Sequence, residues 1–177
     1  MYPCIFSEAS GYFCVLQKWT PTEPVKNEIK LKVKAILFSK EERKTVKKVL
    51  VMCTGNSCRS IIGEALINKY INEVKAYSAG VKPTGRVNPN AKKVLEENGC
   101  WDDSYHSKHL NEVLDMDFDL VVTVCDHAKE SCPMFPRPVK KIHIGFEDPD
   151  GKGHEEFVKT FNEIKEVLLP KVRKILK

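Results

Sequence analysis

The hydrophobic and polar positions become regular only after about residue 45. From there, short apolar runs alternate with segments whose apolar residues recur at helical spacing. The apolar runs predict strands at 49–52, 74–79, 120–124 and 141–144. The helical segments are 57–70, 89–98 closed by Gly99, 110–114, a short stretch from Asp126 that Pro133 ends, and 155–169, bent or ended at Pro170. This alternation predicts an α/β fold, a four-stranded parallel sheet flanked by helices.

Residues 1–45 lack this regularity and are treated as a separate N-terminal extension, with a single domain at 46–177. Alternating apolar residues around 29–35 would allow one short strand. An extension, a disordered arm and an overlong gene start all remain open. The net charge of +5 originates here, because residues 26–48 hold nine Lys or Arg against three Glu. No nucleic-acid recognition motif accompanies them, so a solvated basic segment is the preferred interpretation and no nucleic-acid partner is expected.

The apolar runs and the cysteines indicate the compartment. No run approaches the ~18 residues of a membrane span, and Met1-Tyr2-Pro3 lacks the positive charge that begins a signal peptide. We therefore expect a cytoplasmic protein with no membrane contact. The seven cysteines are an odd number without a secretion signal, which favours reactive or buried thiols over a disulfide framework.

One stretch combines a thiol with an anion-binding pattern. It lies between the first predicted strand and helix and reads Cys53-Thr54-Gly55-Asn56-Ser57-Cys58-Arg59-Ser60. A loop of this length can direct its backbone N–H groups at one oxyanion, and the helix N-terminus adds partial positive charge. Arg59 could bind two oxygens of that anion. These positive groups, and a hydrogen bond from Ser60, predict a depressed pKa for Cys53.

A bare Cys-x5-Arg pattern is weak evidence, but the surrounding residues make this one specific. Gly55 and Asn56 tolerate left-handed backbone, and a strand and a helix flank the loop. The stretch resembles the signature of the low-molecular-weight protein tyrosine phosphatase superfamily, and the resemblance extends from Lys48 to about Val172. It also covers 76–80 and 88–91. The resemblance implies a flavodoxin-like fold and a general acid Asp before a Pro, which Asp148-Pro149 matches.

Two further cysteines separate the branches of that superfamily. Cys125 directly follows the third predicted strand, and Cys132 lies seven residues later. A phosphatase needs neither thiol, whereas reduction of As(V) takes two electrons, which a dithiol supplies by forming a disulfide. The segment with Cys132-Pro133, and the stretch 145–149, resemble the thioredoxin-coupled arsenate reductases. Two buried structural cysteines are the alternative.

That resemblance implies an enzyme that reduces arsenate to arsenite for arsenic detoxification. Cys53 would attack arsenic, Asp148 would protonate the departing oxygen, and Arg59 with residues 54–60 would hold the anion. Cys125 would then form a disulfide with Cys53. Cys132 would attack Cys125 and form a redox-active Cys125–Cys132 disulfide, which thioredoxin would reduce. Glutaredoxin with glutathione is the alternative reductant, and a monomer is expected.

Some of the same residues could instead hold a metal ion. Zinc could use Cys125, Cys132, His127, His106 and His109, but the cysteine spacing is not that of a structural site, so no metal is expected. No tightly bound cofactor is expected. Some relatives bind potassium where this chain has Asn56, Glu64 and Ser78. No acidic residue near 107–110 matches the fourth position, so potassium is doubtful.

A low-molecular-weight protein tyrosine phosphatase is the alternative function. Such enzymes usually place aromatic residues after the acid loop, whereas Asp150-Gly151-Lys152-Gly153 follows Pro149 here. A thiol-based anion or redox sensor is the non-enzymatic alternative. A sensor would not need the candidate general acid, which counts against it.

Overall fold

The structure is a computed structural model that describes residues 46–130, 135 and 138–177. The proposed extension 1–45 lies outside the described residues, as do Cys132 and Pro133.

Strands and helices alternate along the described chain. The strands are β1 (Lys47–Cys53), β2 (Val74–Gly80), β3 (Leu120–Thr123) and β4 (Lys140–His143). The helices are α1 (Arg59–Tyr70), α2 (Pro89–Glu97), α3 (Asp126–Glu130) and α4 (His154–Leu176), with a 3₁₀ helix at Leu110–Glu112. Every element predicted after residue 45 is present, most with ends displaced by one or two residues, while the last helix extends well beyond its predicted end.

All four strands are parallel and lie in the order β2-β1-β3-β4. This confirms the predicted sheet. The register aligns the carboxyl ends of the strands, since Cys53 pairs with Gly80 and Met52 pairs with Thr123. Side chains that follow β1, β3 and β4 therefore meet at one sheet edge, where ligands bind in open α/β sheets.

Helix α1 is buried along most of its length because it contacts the sheet on one side and α2 and α4 on others. Its residues Ile61, Ile62, Leu66 and Ile67 are fully buried. Burial of such side chains contributes roughly 1.5–3 kcal/mol each relative to exposure. The N-terminus of α1, which follows the Cys53 loop, is therefore held firmly against the sheet.

The prediction that Pro170 bends or ends the last helix was wrong in its endpoint. Helix α4 continues through Pro170 to Leu176. Leu169 and Val172, on either side of the proline, are buried, and Arg173 donates to the carbonyl of Tyr70 at 2.7 Å. Packing and this tie to the end of α1 offset the hydrogen bond that proline removes.

No helix in the described part of the chain is long and apolar enough to cross a membrane.

Candidate active site

The backbone carbonyl groups of the loop between β1 and α1 accept hydrogen bonds from a single neighbouring segment. Backbone N–H groups of residues 81–88 donate to them: Val81 to Cys53 (3.4 Å), Lys82 to Thr54 (2.9 Å), Thr84 to Gly55 (2.9 Å) and Asn88 to Ser57 (2.9 Å). In a trans peptide the N–H points opposite to the carbonyl. The next N–H groups along the loop therefore point away from residues 81–88, as an anion nest requires.

Two residues allow the loop to take this path. Asn56 is buried and has a φ of 45°, the left-handed region that asparagine tolerates better than most residues. Gly55, which was predicted as a second such position, is not among the residues with positive φ. Gly80 lies against the loop so closely that an added Cβ would be 2.6 Å from the Thr54 carbonyl oxygen. A glycine is therefore required for close approach at the end of β2.

The Cys53 thiol lies at the centre of the loop and is 3% exposed. Its Sγ is 2.9 Å from the Ser60 hydroxyl and accepts the Asn56 backbone N–H at 3.1 Å. The predicted contact with Ser60 is thus present.

The expectation of a depressed pKa for Cys53 was wrong. Burial raises its pKa, and the hydrogen bonds from Ser60 and Asn56 offset only part of that effect. A neighbouring guanidinium would lower it, but Arg59 points elsewhere. The thiolate therefore needs a positive partner beyond those that contact Cys53 in this arrangement.

Arg59 is paired with the loop that carries the candidate acid. Its Nη1 donates to the carbonyl of Phe146 at 3.0 Å, and its Nη2 forms an ion pair with the Asp148 carboxylate. Asp148 follows β4 and is about half exposed, whereas the Arg59 side chain is 11% exposed. The two residues predicted to bind the oxyanion and to protonate it are therefore in direct contact.

A second tie fixes the acid loop to the start of α2. Asn88 caps α2 by accepting from the Asn90 backbone N–H, and its side-chain amide donates to Asp150 at 2.8 Å. The same Asp150 oxygen is 3.9 Å from the Cys58 Sγ. Burial raises the pKa of Cys58 to about 12, so this thiol stays protonated at neutral pH. Cys58 therefore serves the loop's structure, and sequence reasoning missed Asn88 and Asp150.

Cys125 lies beside the anion loop, as its position after β3 predicted. Its Sγ is 3.3 Å from the Thr54 hydroxyl, and the residue is buried. Helix α3 begins at the next residue. The fold thus brings the second candidate thiol to the loop, while the third, Cys132, falls outside the described part of the chain.

A buried polar chain runs from Cys53 into the protein. The Asn56 side-chain amide donates to Ser60 at 2.9 Å and to Ser78 at 2.8 Å, and the Ser78 hydroxyl donates to Glu64 at 2.5 Å. Lys108 contacts both ends of this set, through its backbone N–H to the Asn56 oxygen and its ammonium near Glu64. Nothing in the sequence pattern had singled out Lys108.

Within residues 46–130, 135 and 138–177, no group of three His, Cys, Asp or Glu side chains is placed to hold a metal ion.

Comparison with known proteins shows which family the chain belongs to. The family model for "Low molecular weight phosphotyrosine protein phosphatase" matches residues 48–176. An arsenate reductase of Brevibacillus brevis is 42% identical over 129 residues, which cover 70% of this chain and 90% of that protein. An arsenate reductase of Bacillus cereus is 40% identical over 127 residues, which cover 71% of this chain and 92% of that protein.

Solved structures agree on the fold. The crystal structure of an arsenate reductase from Archaeoglobus fulgidus aligns with a TM-score of 0.59 and 36% identity, covering 67% of this chain and 93% of that one. A low molecular weight protein tyrosine phosphatase from T. tengcongensis aligns with a TM-score of 0.64 and 27% identity, covering 72% of this chain and 99% of that one.

Proposed function

This chain belongs to the low molecular weight phosphotyrosine protein phosphatase family, and we propose that within it the protein is an arsenate reductase that passes two electrons through three cysteines. The observation that carries the proposal is Cys125, whose Sγ is 3.3 Å from Thr54 in the anion loop. Hydrolysis of a phosphate ester has no use for a second thiol there. Reduction of As(V) needs one, because two electrons must leave the thiols as a disulfide forms.

The first step is attack on arsenic. Arsenate enters the nest of N–H groups, the Cys53 sulfur forms a bond to arsenic, and one arsenate oxygen leaves as water after it takes a proton from Asp148. Arg59 holds two of the remaining oxygens.

Binding requires an exchange at Arg59. Its guanidinium is paired with Asp148, and a carboxylate oxygen that accepts from a guanidinium has no proton to give. Arsenate oxygens would replace Asp148 as the partner of Arg59. Asp148 would then be free to take up the proton that Cys53 loses on becoming a thiolate and to pass it to the departing oxygen. Positive charge would also move closer to Cys53, whose pKa is otherwise raised by burial.

The second step transfers the electrons. Cys125 attacks the sulfur of the Cys53–arsenic adduct, a Cys53–Cys125 disulfide forms, and the electron pair of the sulfur–arsenic bond stays on arsenic, which leaves as arsenite. Cys132 then attacks Cys125, which releases the Cys53 thiolate and forms Cys125–Cys132. A thioredoxin dithiol reduces that bond and is itself oxidised. Glutaredoxin with glutathione is the alternative reductant.

A tyrosine phosphatase remains the second candidate, because the family and several structural neighbours bear that name. No aromatic residue follows the acid loop over Asp150–Gly153 to contact a phenyl ring. The curated relatives at about 40% identity are named arsenate reductases. Both facts favour the small inorganic substrate.

The proposal includes a cytoplasmic monomer. Among the described residues, the exposed large hydrophobic side chains are only Val46, Val158 and Val167, which do not make up an extensive apolar surface. A cytoplasmic dithiol reductant would be available to such a protein.

The test is NADPH consumption that depends on arsenate. The purified protein is mixed with thioredoxin, thioredoxin reductase and NADPH, and in parallel with glutaredoxin, glutathione and its reductase. We expect arsenate to start oxidation of NADPH in the thioredoxin mixture. Arsenate-independent rates in both mixtures, together with efficient hydrolysis of phosphotyrosine peptides, would establish the phosphatase instead.

A further inference from the structure

A lysine ammonium lies beside Glu64, one of the residues that match the potassium site of some relatives. Glu64, Asn56 and Ser78 match positions of the potassium site in some relatives, and all three are buried. Lys108 Nζ lies 3.9 Å from Glu64 Oε2, and the two side chains are only 10% and 8% exposed. The ammonium also donates to the His106 carbonyl at 3.2 Å.

The oxygens in this group already have donors. Asn56 Oδ1 accepts the Lys108 backbone N–H at 2.8 Å, and Glu64 Oε2 accepts the Ser78 hydroxyl at 2.5 Å. A metal cation here would need those oxygens as ligands and would lie beside a positive ammonium in a water-poor setting, where like charges repel strongly. The residues present therefore do not fit potassium.

We propose that Lys108 is the resident cation of this site and positions the nucleophile in place of a monovalent metal ion. Its backbone is held between Asn56 and Gly80, whose N–H donates to the Lys108 carbonyl at 3.0 Å. The ammonium is thereby fixed next to a carboxylate that would otherwise be buried without a compensating charge, which is strongly unfavourable.

The effect reaches Cys53 through hydrogen bonds of fixed direction. Burial raises the pKa of Glu64, and the charge of Lys108 is the largest effect that opposes this rise. The ionised Glu64 that Lys108 favours only accepts, so the Ser78 hydroxyl must donate to it and its lone pairs accept from Asn56. The Lys108 N–H holds the Asn56 oxygen, so the amide nitrogen faces both serines. Ser60 accepts from Asn56, which leaves its hydroxyl proton free to be donated to Cys53.

This proposal uses the proposed function only in taking Cys53 as the nucleophile, which holds for an arsenate reductase and for a phosphatase alike. The experiment therefore uses two readouts that do not depend on arsenate. These are the thermal unfolding midpoint and kcat/KM for hydrolysis of a small aryl phosphate. Each is measured in potassium chloride and in choline chloride at equal ionic strength.

The variants are Lys108→Met, which keeps an unbranched side chain one atom shorter and removes the charge, and Lys75→Met as the matched control. Lys75 is an exposed lysine that also acts electrostatically on Glu64. Potassium should leave the wild type and Lys75→Met unchanged. In choline chloride, Lys108→Met should lose about 10- to 100-fold in kcat/KM. This is the size of loss seen when residues that orient the ligands of a metal site through hydrogen bonds are removed.

Potassium should restore much of that loss in Lys108→Met and raise its unfolding midpoint by about 2–4 °C, because an ion that binds only the folded state stabilises it. The double variant Lys108→Met/Glu64→Gln should not respond to potassium, since no buried charge remains to attract it. A merely structural lysine would give no such dependence on the cation.

A potassium response in the wild type would overturn the proposal, and so would a fully active Lys108→Met that ignores potassium. If Lys108→Met folds in neither salt, the double variant decides. Its recovery of folding would support an uncompensated Glu64 as the cause, whereas its failure to fold would contradict the proposal.

Discussion

Cys53 ends β1 and Cys125 lies two residues after β3, yet the segments that follow them differ. After Cys53, Asn56 and Ser60 are fully buried, and backbone N–H groups of residues 81–88 donate to the loop's carbonyls. After Cys125, helix α3 has only five described residues, of which Ala128 alone is buried. One thiol belongs to a fixed frame and the other leads into a segment with a largely solvated surface.

The difference matches what each thiol would have to do. An oxyanion site works when its donors are already oriented before the reaction. A disulfide between Cys125 and Cys132 makes the opposite demand, because it needs Cα atoms within about 7 Å. Seven residues of helix would separate those atoms by roughly 10 Å. A segment that buries little can rearrange at low cost, so the chain would combine a rigid loop with an adaptable one.

The largest expected effect is that of removing the Cys53 thiol from the rigid loop. Cys53→Ser should abolish both arsenate reduction and hydrolysis of a small aryl phosphate, because both need the thiolate as nucleophile. Cys100→Ser is the matched control, since Cys100 is also buried and takes no part in the proposed chemistry. Substantial reduction by Cys53→Ser would contradict the assignment of the nucleophile.

Substitutions of Cys125 or Cys132 should separate arsenate reduction from hydrolysis of an aryl phosphate. Cys125→Ser or Cys132→Ser should abolish multiple-turnover reduction of arsenate, since no disulfide can be passed on, while hydrolysis of the aryl phosphate is retained. Steady-state assays of both reactions on the same preparation test this. The three-thiol relay is wrong if either variant keeps full reductase turnover.

An intermediate effect is expected at Asp148, which belongs to neither thiol segment but contacts the loop through Arg59. Asp148→Asn should slow the first chemical step about 10²–10⁴-fold, measured by single-turnover kinetics, because the leaving oxygen loses its acid. Binding of phosphate should not weaken, since Arg59 loses a competing partner.

Glu147→Gln is the control for Asp148→Asn. Glu147 is an adjacent exposed carboxylate, paired with Lys152 at 2.6 Å, and it takes no part in the proposed step. Equal rates for Asp148→Asn and wild type would remove Asp148 from the mechanism.

The smallest effect is expected at Gly80, which packs against the Cys53 loop. Gly80→Ala places a Cβ only 2.6 Å from the Thr54 carbonyl oxygen, so the loop must shift. We expect the free energy of unfolding to fall by about 1–3 kcal/mol, in chemical denaturation, and phosphate to bind more weakly. Gly153→Ala should change both far less, because an added Cβ there has no atom within 4 Å. Wild-type stability and phosphate binding in Gly80→Ala would show that the loop is not held as described.

The parts of the site that follow one another in sequence were predictable. The strand, loop and helix around Cys53 are consecutive, and the rule that parallel strands end at one edge placed Cys125 near the loop. Lys108 and Asn56 are 52 positions apart in sequence, and Asn88 and Asp150 are 62 positions apart. No local sequence pattern could therefore predict these contacts.

The pKa of Cys53 shows why the electrostatics could not be predicted in the same way. The sequence contains the positive groups that would lower it, but the outcome depends on burial and on where Arg59 points. Those are properties of the folded chain. Pro170 is a similar case, because packing on α1 overrides a local preference to end the helix.

The central claim is that the disulfide passes from Cys53–Cys125 to Cys125–Cys132, so that the electrons that reduce arsenic come finally from Cys125 and Cys132. The most direct test is peptide mapping by mass spectrometry, after the fully reduced protein has met one equivalent of arsenate without any reductant and free thiols have been alkylated. The account predicts one arsenite released per protein, a Cys125–Cys132 disulfide and an alkylated Cys53. Arsenite release with a different final disulfide, or with both Cys125 and Cys132 alkylated, would contradict it.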